Sequence, residues 1–230
     1  MNSVTRPDHH LQQLPGRMIV IDGIDGSGKG VQSRRLLQAF VESGESAILT
    51  REPGGSPAAE DIRNLLVKGE PDKWDAMTEL LLMYASRRTH LRDTIWPALA
   101  AGKWVISDRY ADSSRAFQGI AGRLGLDIVE QIHRLVVGPF EPALVIILDL
   151  PETVALERTR ARGDDEDRFE KKGEDYHARV RSAFRQIAAT NPALYRVIDA
   201  NRDIPVVSTA ITETINAHFQ LQLKSDQGAG

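Results

Sequence analysis

Residues 22 to 30 read Asp22-Gly23-Ile24-Asp25-Gly26-Ser27-Gly28-Lys29-Gly30, a glycine-rich turn closed by a lysine. Glycines let a backbone wrap an anion so that successive N–H groups point inward, and the lysine adds charge for the outer phosphates of a nucleotide. Apolar Met18-Ile19-Val20-Ile21 precedes the turn, and an amphipathic stretch from Val31 to Val41 follows it. Strand, loop and helix in that order form a phosphate-binding loop, because the helix N-terminus then faces the anion. The residues Gly23, Ile24, Asp25, Gly26, Ser27, Gly28, Lys29 and Gly30 are therefore assigned to a nucleoside triphosphate. Gly30 stands where the motif G-x-x-x-x-G-K-[ST] ends in a hydroxyl.

Further polar groups follow other apolar runs. Thr50-Arg51-Glu52-Pro53-Gly54-Gly55 puts an arginine at a strand exit, where it can grip a phosphate bidentately or simply be solvated. In Ser107-Asp108-Arg109-Tyr110 the carboxylate suits magnesium or its waters and the arginine an acceptor phosphate; the alternative is an Asp–Arg pair that braces the loop. Ser113, Ser114 and Gln118 are spaced to line one wall of a pocket, or to cap helices. Asp149 ends another apolar run, as a second carboxylate near a metal or as a strand-end cap. Arg158, Arg160 and Arg162 lead into the acidic stretch Asp164 to Asp167 and then Arg168-Phe169. Beside a phosphate-binding loop this charged turn reads as a lid carrying arginines over a transferring phosphoryl group.

The elements that must position these residues are legible from hydrophobic patterning. The runs Met18 to Ile21, Ser46 to Thr50, Trp104 to Ser107, Leu144 to Leu150 and Tyr195 to Asp199 are nearly continuous in apolar character, as strands buried on both faces are. Helical spacing appears at Met77, Leu80, Leu81 and Tyr84, continuing through Leu91, Ile95 and Leu99 with a bend before Pro97. It recurs at Val129, Ile132, Leu135 and Val136, and at Val180, Phe184 and Ile187. Alternating strands and helices predict an α/β fold of three layers: a central parallel sheet of about five strands, flanked by helices, with a short lid at about 160–170. The chain of 230 residues, 41% hydrophobic, fits one compact domain over 17–222, with flexible segments at 1–16 and 223–230. A net charge of −3 without a basic block, and 6% aromatic content, speak against nucleic-acid binding. Cysteine is absent, which excludes disulfides and thiolate metal sites and suits a reducing compartment. No segment approaches the ~18 apolar residues of a membrane span.

Together these segments resemble bacterial thymidylate kinase, a P-loop nucleoside-monophosphate kinase, from Gly16 to about Phe219. The specific parts are the phosphate-binding loop with Asp25, the Thr-Arg-Glu-Pro-Gly-Gly segment, Asp-Arg-Tyr followed by Ser113 through Gln118, and the arginine-bearing lid ending in Asp167-Arg168-Phe169-Glu170. The resemblance implies transfer of the ATP γ-phosphoryl group to dTMP with Mg2+, in a cytoplasmic homodimer. Lys29 would then hold the donor phosphates, and Arg51 and Arg109 the dTMP phosphate. Asp25 would lie near the sugar or the metal, with Asp108 a second carboxylate for the metal. Arg87 and Ser114 would bond the thymine edge, and Phe117 would crowd the 2′ position of the sugar. Arg158, Arg160, Arg162 and Arg168 would stabilise charge during transfer.

The sequence departs from the family pattern in three respects, at four positions. Gly30 and Val31 leave no hydroxyl after the loop lysine, so magnesium or ATP is expected to bind more weakly. Met83 stands where a phenylalanine generally stacks on thymine, and Phe117 replaces a more usual tyrosine. These substitutions keep two alternatives in play: a kinase for another pyrimidine monophosphate, and a nucleotide-binding homologue without catalysis.

Overall fold

A computed structural model describes residues 14–162, 168–169 and 172–224. Along the chain come β1 (Arg17–Gly23), α1 (Lys29–Glu42), β2 (Ala47–Arg51), α2 (Pro57–Val67), α3 (Ala76–His90), a π-helical turn (Leu91–Ile95) and α4 (Trp96–Ala100). Then follow β3 (Trp104–Asp108), α5 (Ala111–Ser114), a second π-helical segment (Arg115–Ala121), α6 (Leu126–Val136) and β4 (Leu144–Asp149). The chain continues through α7 (Glu152–Arg162), α8 (Glu174–Thr190), β5 (Tyr195–Asp199) and α9 (Ile204–Phe219). The strands form one parallel sheet in the order β2-β3-β1-β4-β5, with a strand at each of the expected apolar runs.

Position in the sheet explains the strand sequences. Central β1 and β4 are buried on both faces over nearly their whole length, hence Met-Ile-Val-Ile and Leu-Val-Ile-Ile. At the edge, β5 is only partly buried, and Val197 is exposed. In register, Ile21 pairs with Asp108 and Asp108 with Arg51, so β1, β3 and β2 end level with one another. Their carboxyl ends, where ligands sit in such sheets, therefore carry the glycine-rich loop, Asp108-Arg109 and Arg51 side by side.

The helix expected from Met77 to Leu99 is present with its reset at Leu91–Ile95. Pro97 has no N–H to donate and its ring crowds the carbonyl four residues back, so the preceding turn widens. Of the residues that carry its spacing, Leu80 and Tyr84 are buried while Met77 and Leu81 are exposed. Helix α9 was not anticipated. Its buried face is Val207, Ser208, Ile211, Thr212 and Ile215, and two hydroxyls dilute the apolar stripe.

At the chain ends, Gly16 donates its N–H to Leu99 O at 2.9 Å. Leu223 is buried and exchanges two hydrogen bonds with Asn216, at 2.8 and 3.0 Å. Anchored backbone thus extends into both segments expected to be flexible. The expectations for 1–13 and 225–230, and for lid residues 163–167 and 170–171, lie outside the described residues.

Candidate active site

A cleft of about 530 Å³ opens at the carboxyl ends of β1, β2 and β3. The loop between β1 and α1 forms one side of it. Gly26 takes φ +79°, and a Cβ there would lie 2.4 Å from the carbonyl oxygen of Ala155. Gly28 takes φ +90° as it enters α1, which only glycine does without strain. Lys29 donates from Nζ to Ile24 O at 2.7 Å, folding its side chain back over the loop. Asp25, Gly26, Gly28, Lys29 and Gly30 line the cleft. Gly23, Ile24 and Ser27 are buried and are not among its lining residues, so they shape the loop from behind.

Burial together with the Arg109 charge lowers Lys29 to about 8, against the upward pull of Asp25, Asp108 and Asp22. The ammonium form is the one that attracts a triphosphate, and it is lost as pH rises through that value. In the free protein, kcat/KM for ATP is therefore expected to fall above pH ~8, since this parameter reports the free enzyme's pKa. Lys29→Arg should carry that limb upward; a limb unmoved in the arginine variant assigns it to another group.

Arg109 is the hub. Its backbone sits at φ +72°, a left-handed conformation uncommon outside glycine. Two bonds hold it there: Arg109 N to Ile21 O at 2.9 Å, and Ser107 Oγ to Arg109 O at 2.7 Å. The turn aims the guanidinium back across the loop. Nη1 donates to Gly23 O and to Ser113 Oγ, each at 3.0 Å, and Nη2 donates to Asp25. Asp22, which no motif marked, completes the group: its Oδ1 accepts from Ser113 Oγ at 2.8 Å and lies 3.4 Å from Arg109 Nη1. Burial raises Asp22 to about 6 despite Arg109. Asp25 moves the other way, to about 2, where Arg109, Lys29 and His177 outweigh its burial.

A second network is fully buried. Arg87 donates from Nε to Glu52 Oε2 at 2.7 Å, and from Nη2 to Tyr110 O at 3.0 Å and Ser114 Oγ at 3.2 Å. The other oxygen of Glu52 meets His90 Nδ1 at 3.1 Å, and His90 Nε2 meets Thr50 Oγ1 at 2.6 Å. Glu52 lies below its ordinary pKa: burial alone would raise it, and Arg87 and His90 more than offset that. Nη1 of Arg87 is buried without a partner among the described residues, as is Oε1 of Gln118. Both residues line the cleft, with Met83, Ser113, Ser114 and Phe117. Phe117 is fixed by edge contacts with Phe169, Tyr176 and Phe184, and the Arg109 guanidinium lies over its ring at 5.2 Å.

Arg51 also lines the cleft, half exposed and paired with Glu60 at 3.0 Å. The four arginines expected on the lid separate. Arg158 on α7 lines the cleft; Arg160 is exposed and is not among its lining residues; the side chain of Arg162 lies outside the described residues. Arg168 is placed elsewhere. Fully buried, it donates to the carbonyls of Leu66, Glu70, Pro71 and Trp74 and pairs with Glu79 at 2.6 Å. Asp149 is likewise occupied, by a two-pronged bond from Arg181 at 2.8 and 3.0 Å.

The two carboxylates expected at a metal are not equivalent. Asp25 is paired with Arg109, whereas the Asp108 side chain has no hydrogen bond among the described residues and faces the cleft. No cluster of three or more metal-ligating side chains occurs among the described residues. One or two carboxylates beside a phosphate site fit Mg2+, which takes its other oxygens from water and phosphate. Sequence reading missed Arg34 and Arg63, which line the cleft from α1 and α2, and the burial of Glu52. Glu52 stood inside a recognised segment, but its partner lies 35 positions away, beyond any local pattern.

Comparison with known proteins identifies the family. The family model described as thymidylate kinase matches residues 21–211. A thymidylate kinase of Dinoroseobacter shibae is 50% identical over 82% of this chain and 90% of its own length. One of Ruegeria pomeroyi is 44% identical over 89% and 96%. The crystal structure of thymidylate kinase from Ehrlichia chaffeensis superposes with a TM-score of 0.69 at 31% identity, covering 87% of this chain and 98% of that one. With that family model spanning most of its length and relatives 44–50% identical over more than four fifths of it, the chain belongs to the thymidylate kinase family.

Proposed function

We propose that this protein transfers the γ-phosphoryl group of ATP to dTMP, giving ADP and dTDP. An oxygen of the dTMP phosphate forms a bond to the γ-phosphorus as the bond from that phosphorus to the β–γ bridging oxygen breaks, and ADP leaves. Such a reaction needs positioning and charge neutralisation more than covalent help. Lys29 and the loop amides hold the donor phosphates, Arg109 and Arg51 the acceptor phosphate, and Arg158 lies where charge develops. Asp108 would hold Mg2+, which would supply charge neutralisation to the phosphates.

The observation that carries the substrate is the pair of buried unpartnered groups at the cleft: a donor, Arg87 Nη1, and an acceptor, Gln118 Oε1. A thymine edge offers O4 to the donor and N3–H to the acceptor. Cytosine offers the reverse, and a site whose buried groups are left unpaired rejects the wrong base strongly. Phe117 supplies bulk beside the sugar. The exposed Leu81 on α3 and Leu135 on α6 support pairing of two copies through these helices. Among the described residues no helix is long and apolar enough to cross a membrane, and a reaction on free nucleotides suits the cytoplasm.

ADP release measured with ATP and Mg2+, offering dTMP, dUMP, dCMP, dGMP and dAMP separately, tests the proposal. Turnover is expected largely with dTMP. Turnover centred on another monophosphate overturns the substrate, and none with any of them overturns the activity. The missing hydroxyl has its own test. A Cβ at Gly30 would lie 3.4 Å from Asp108 Oδ2 and 3.6 Å from Arg34 Nη1, ordinary contact distances, so a side chain fits. Gly30→Thr is expected to lower the Mg2+ concentration needed for half-maximal rate by about 2- to 10-fold, the worth of one hydrogen bond. An unchanged Mg2+ dependence and ATP KM would show the hydroxyl to be dispensable here.

A further inference from the structure

We propose that Glu79, held by Arg168 and Lys172, is a positioning residue that orients the Gln118 amide and thereby sets which base the cleft accepts. The inference rests on the dTMP reading and assigns a role to three residues outside the reacting groups. The Glu79 side chain is 1% exposed. Its Oε2 lies 2.6 Å from Arg168 Nη2 and 2.7 Å from Lys172 Nζ, and its Oε1 accepts from Gln118 Nε2 at 3.3 Å.

A carboxylate between a guanidinium and an ammonium offers only lone pairs, so the neighbouring amide must present its NH2. Turning Gln118 over would set its carbonyl oxygen against a carboxylate oxygen. Glu79 therefore leaves Oε1 as the Gln118 atom available to a ligand, and that atom is the unpartnered one. The arrangement is stiff on its far side too, because Arg168 is tied to backbone carbonyls of four residues between Leu66 and Trp74. Helix geometry couples it to the rest of the pocket. Glu79, Met83 and Arg87 are spaced i, i+4, i+8 on α3 and share one face. One helix face thus holds the base donor directly and sets the base acceptor through Gln118. Without the carboxylate, the amide can flip at small cost, since its oxygen and nitrogen are nearly isosteric.

The experiment is kcat/KM for dTMP and for dCMP in the wild type, Glu79→Gln, Gln118→Met and the double variant. Glutamine at 79 can accept or donate, so Gln118 loses its fixed polarity. Glu79→Gln is expected to lower the dTMP:dCMP ratio at least about tenfold, chiefly through KM for dTMP, with KM for ATP unchanged. Gln118→Met should lower the ratio itself, and adding Glu79→Gln to it should change the ratio no further. A Glu79→Gln that slows both substrates equally shows a structural role only and overturns the proposal. Should Glu79→Gln fail to fold, amide NMR on the wild type decides. The Gln118 side-chain NH2, assigned by its absence in Gln118→Met, is expected to exchange slowly with solvent, and exchange as fast as that of exposed glutamines overturns the proposal. Absence of dTMP turnover in the wild type would instead overturn the functional reading, and the NMR measurement would still report the orientation of Gln118.

Discussion

Arg109→Met is expected to lower kcat/KM for dTMP by about 10²–10³, the usual effect of removing one preorganised donor from a site of developing charge. The loss is expected to exceed that from a surface arginine because the Arg109 guanidinium already stands in place. Gly23 O, Ser113 Oγ and Asp25 hold it before any ligand arrives. Arg109→Lys should recover little, since an ammonium cannot reproduce the planar fork that meets these partners and a phosphate together. Steady-state kinetics at saturating ATP makes the measurement, and a loss under threefold would remove Arg109 from the acceptor site.

The same substitution has a pH signature. Asp25 is held at about 2, so its contribution to stability is present above the ordinary carboxylate range and is lost as pH falls toward 2. Asp22 is raised to about 6, so its contribution runs the other way and is lost as pH rises from about 4 to 6. Removing Arg109 lifts both carboxylates. The stability gap between wild type and variant should therefore be widest at neutral pH and narrow on acidification.

Glu52→Gln is the substitution expected to cost most in stability, about 3–5 kcal/mol, the usual result of removing one partner from a buried ion pair. The carboxylate and the Arg87 side chain are 3% and 2% exposed, so water cannot replace what is lost. The change leaves Arg87 facing a neutral amide and takes an acceptor from His90. Urea denaturation measures it as a lowered midpoint with an unchanged slope. Glu52 is held below its ordinary value, so its contribution is present above that value and lost as pH falls through the lowered one. The difference from wild type should thus shrink in acid. An equal loss at pH 7 and in acid would place the effect in packing rather than charge. The dTMP KM is expected to rise in the folded variant, because Glu52 fixes the Arg87 fork that is proposed to meet the base.

Much of this protein was legible before any coordinates. The glycine-rich loop is local: nine consecutive residues and the apolar run before them specify a turn, an anion site and a helix start. Strands β1 and β4 announce themselves because burial on both faces demands continuous apolar character. Pro97 likewise marked the break before α4 through its missing N–H. Helix α9 was illegible because Ser208 and Thr212 share its buried face, and Ser208 is bonded to Gln32 and Arg35 of α1, partners that no local rule foresees.

The arginines show most plainly where local reading ends. Arg158 and Arg168 looked alike, as cations flanking an acidic turn. The fold brings the first to the cleft and buries the second under the carbonyls of the segment joining α2 to α3. Glu79 carried no signal, and Asp22 and Glu52, though inside recognised segments, carried none for their roles, because each acquires its function from partners dozens of positions away. Residue types at short spacing determined the chemistry this chain can perform, since phosphate binding needs only a loop, a lysine and a helix end. Which arginine faces the cleft, which carboxylate is left for a metal and which way an amide points were decided by tertiary structure. Those properties depend on burial and on charges meeting across the sheet ends, and both arise only when the strands stand in the order β2-β3-β1-β4-β5.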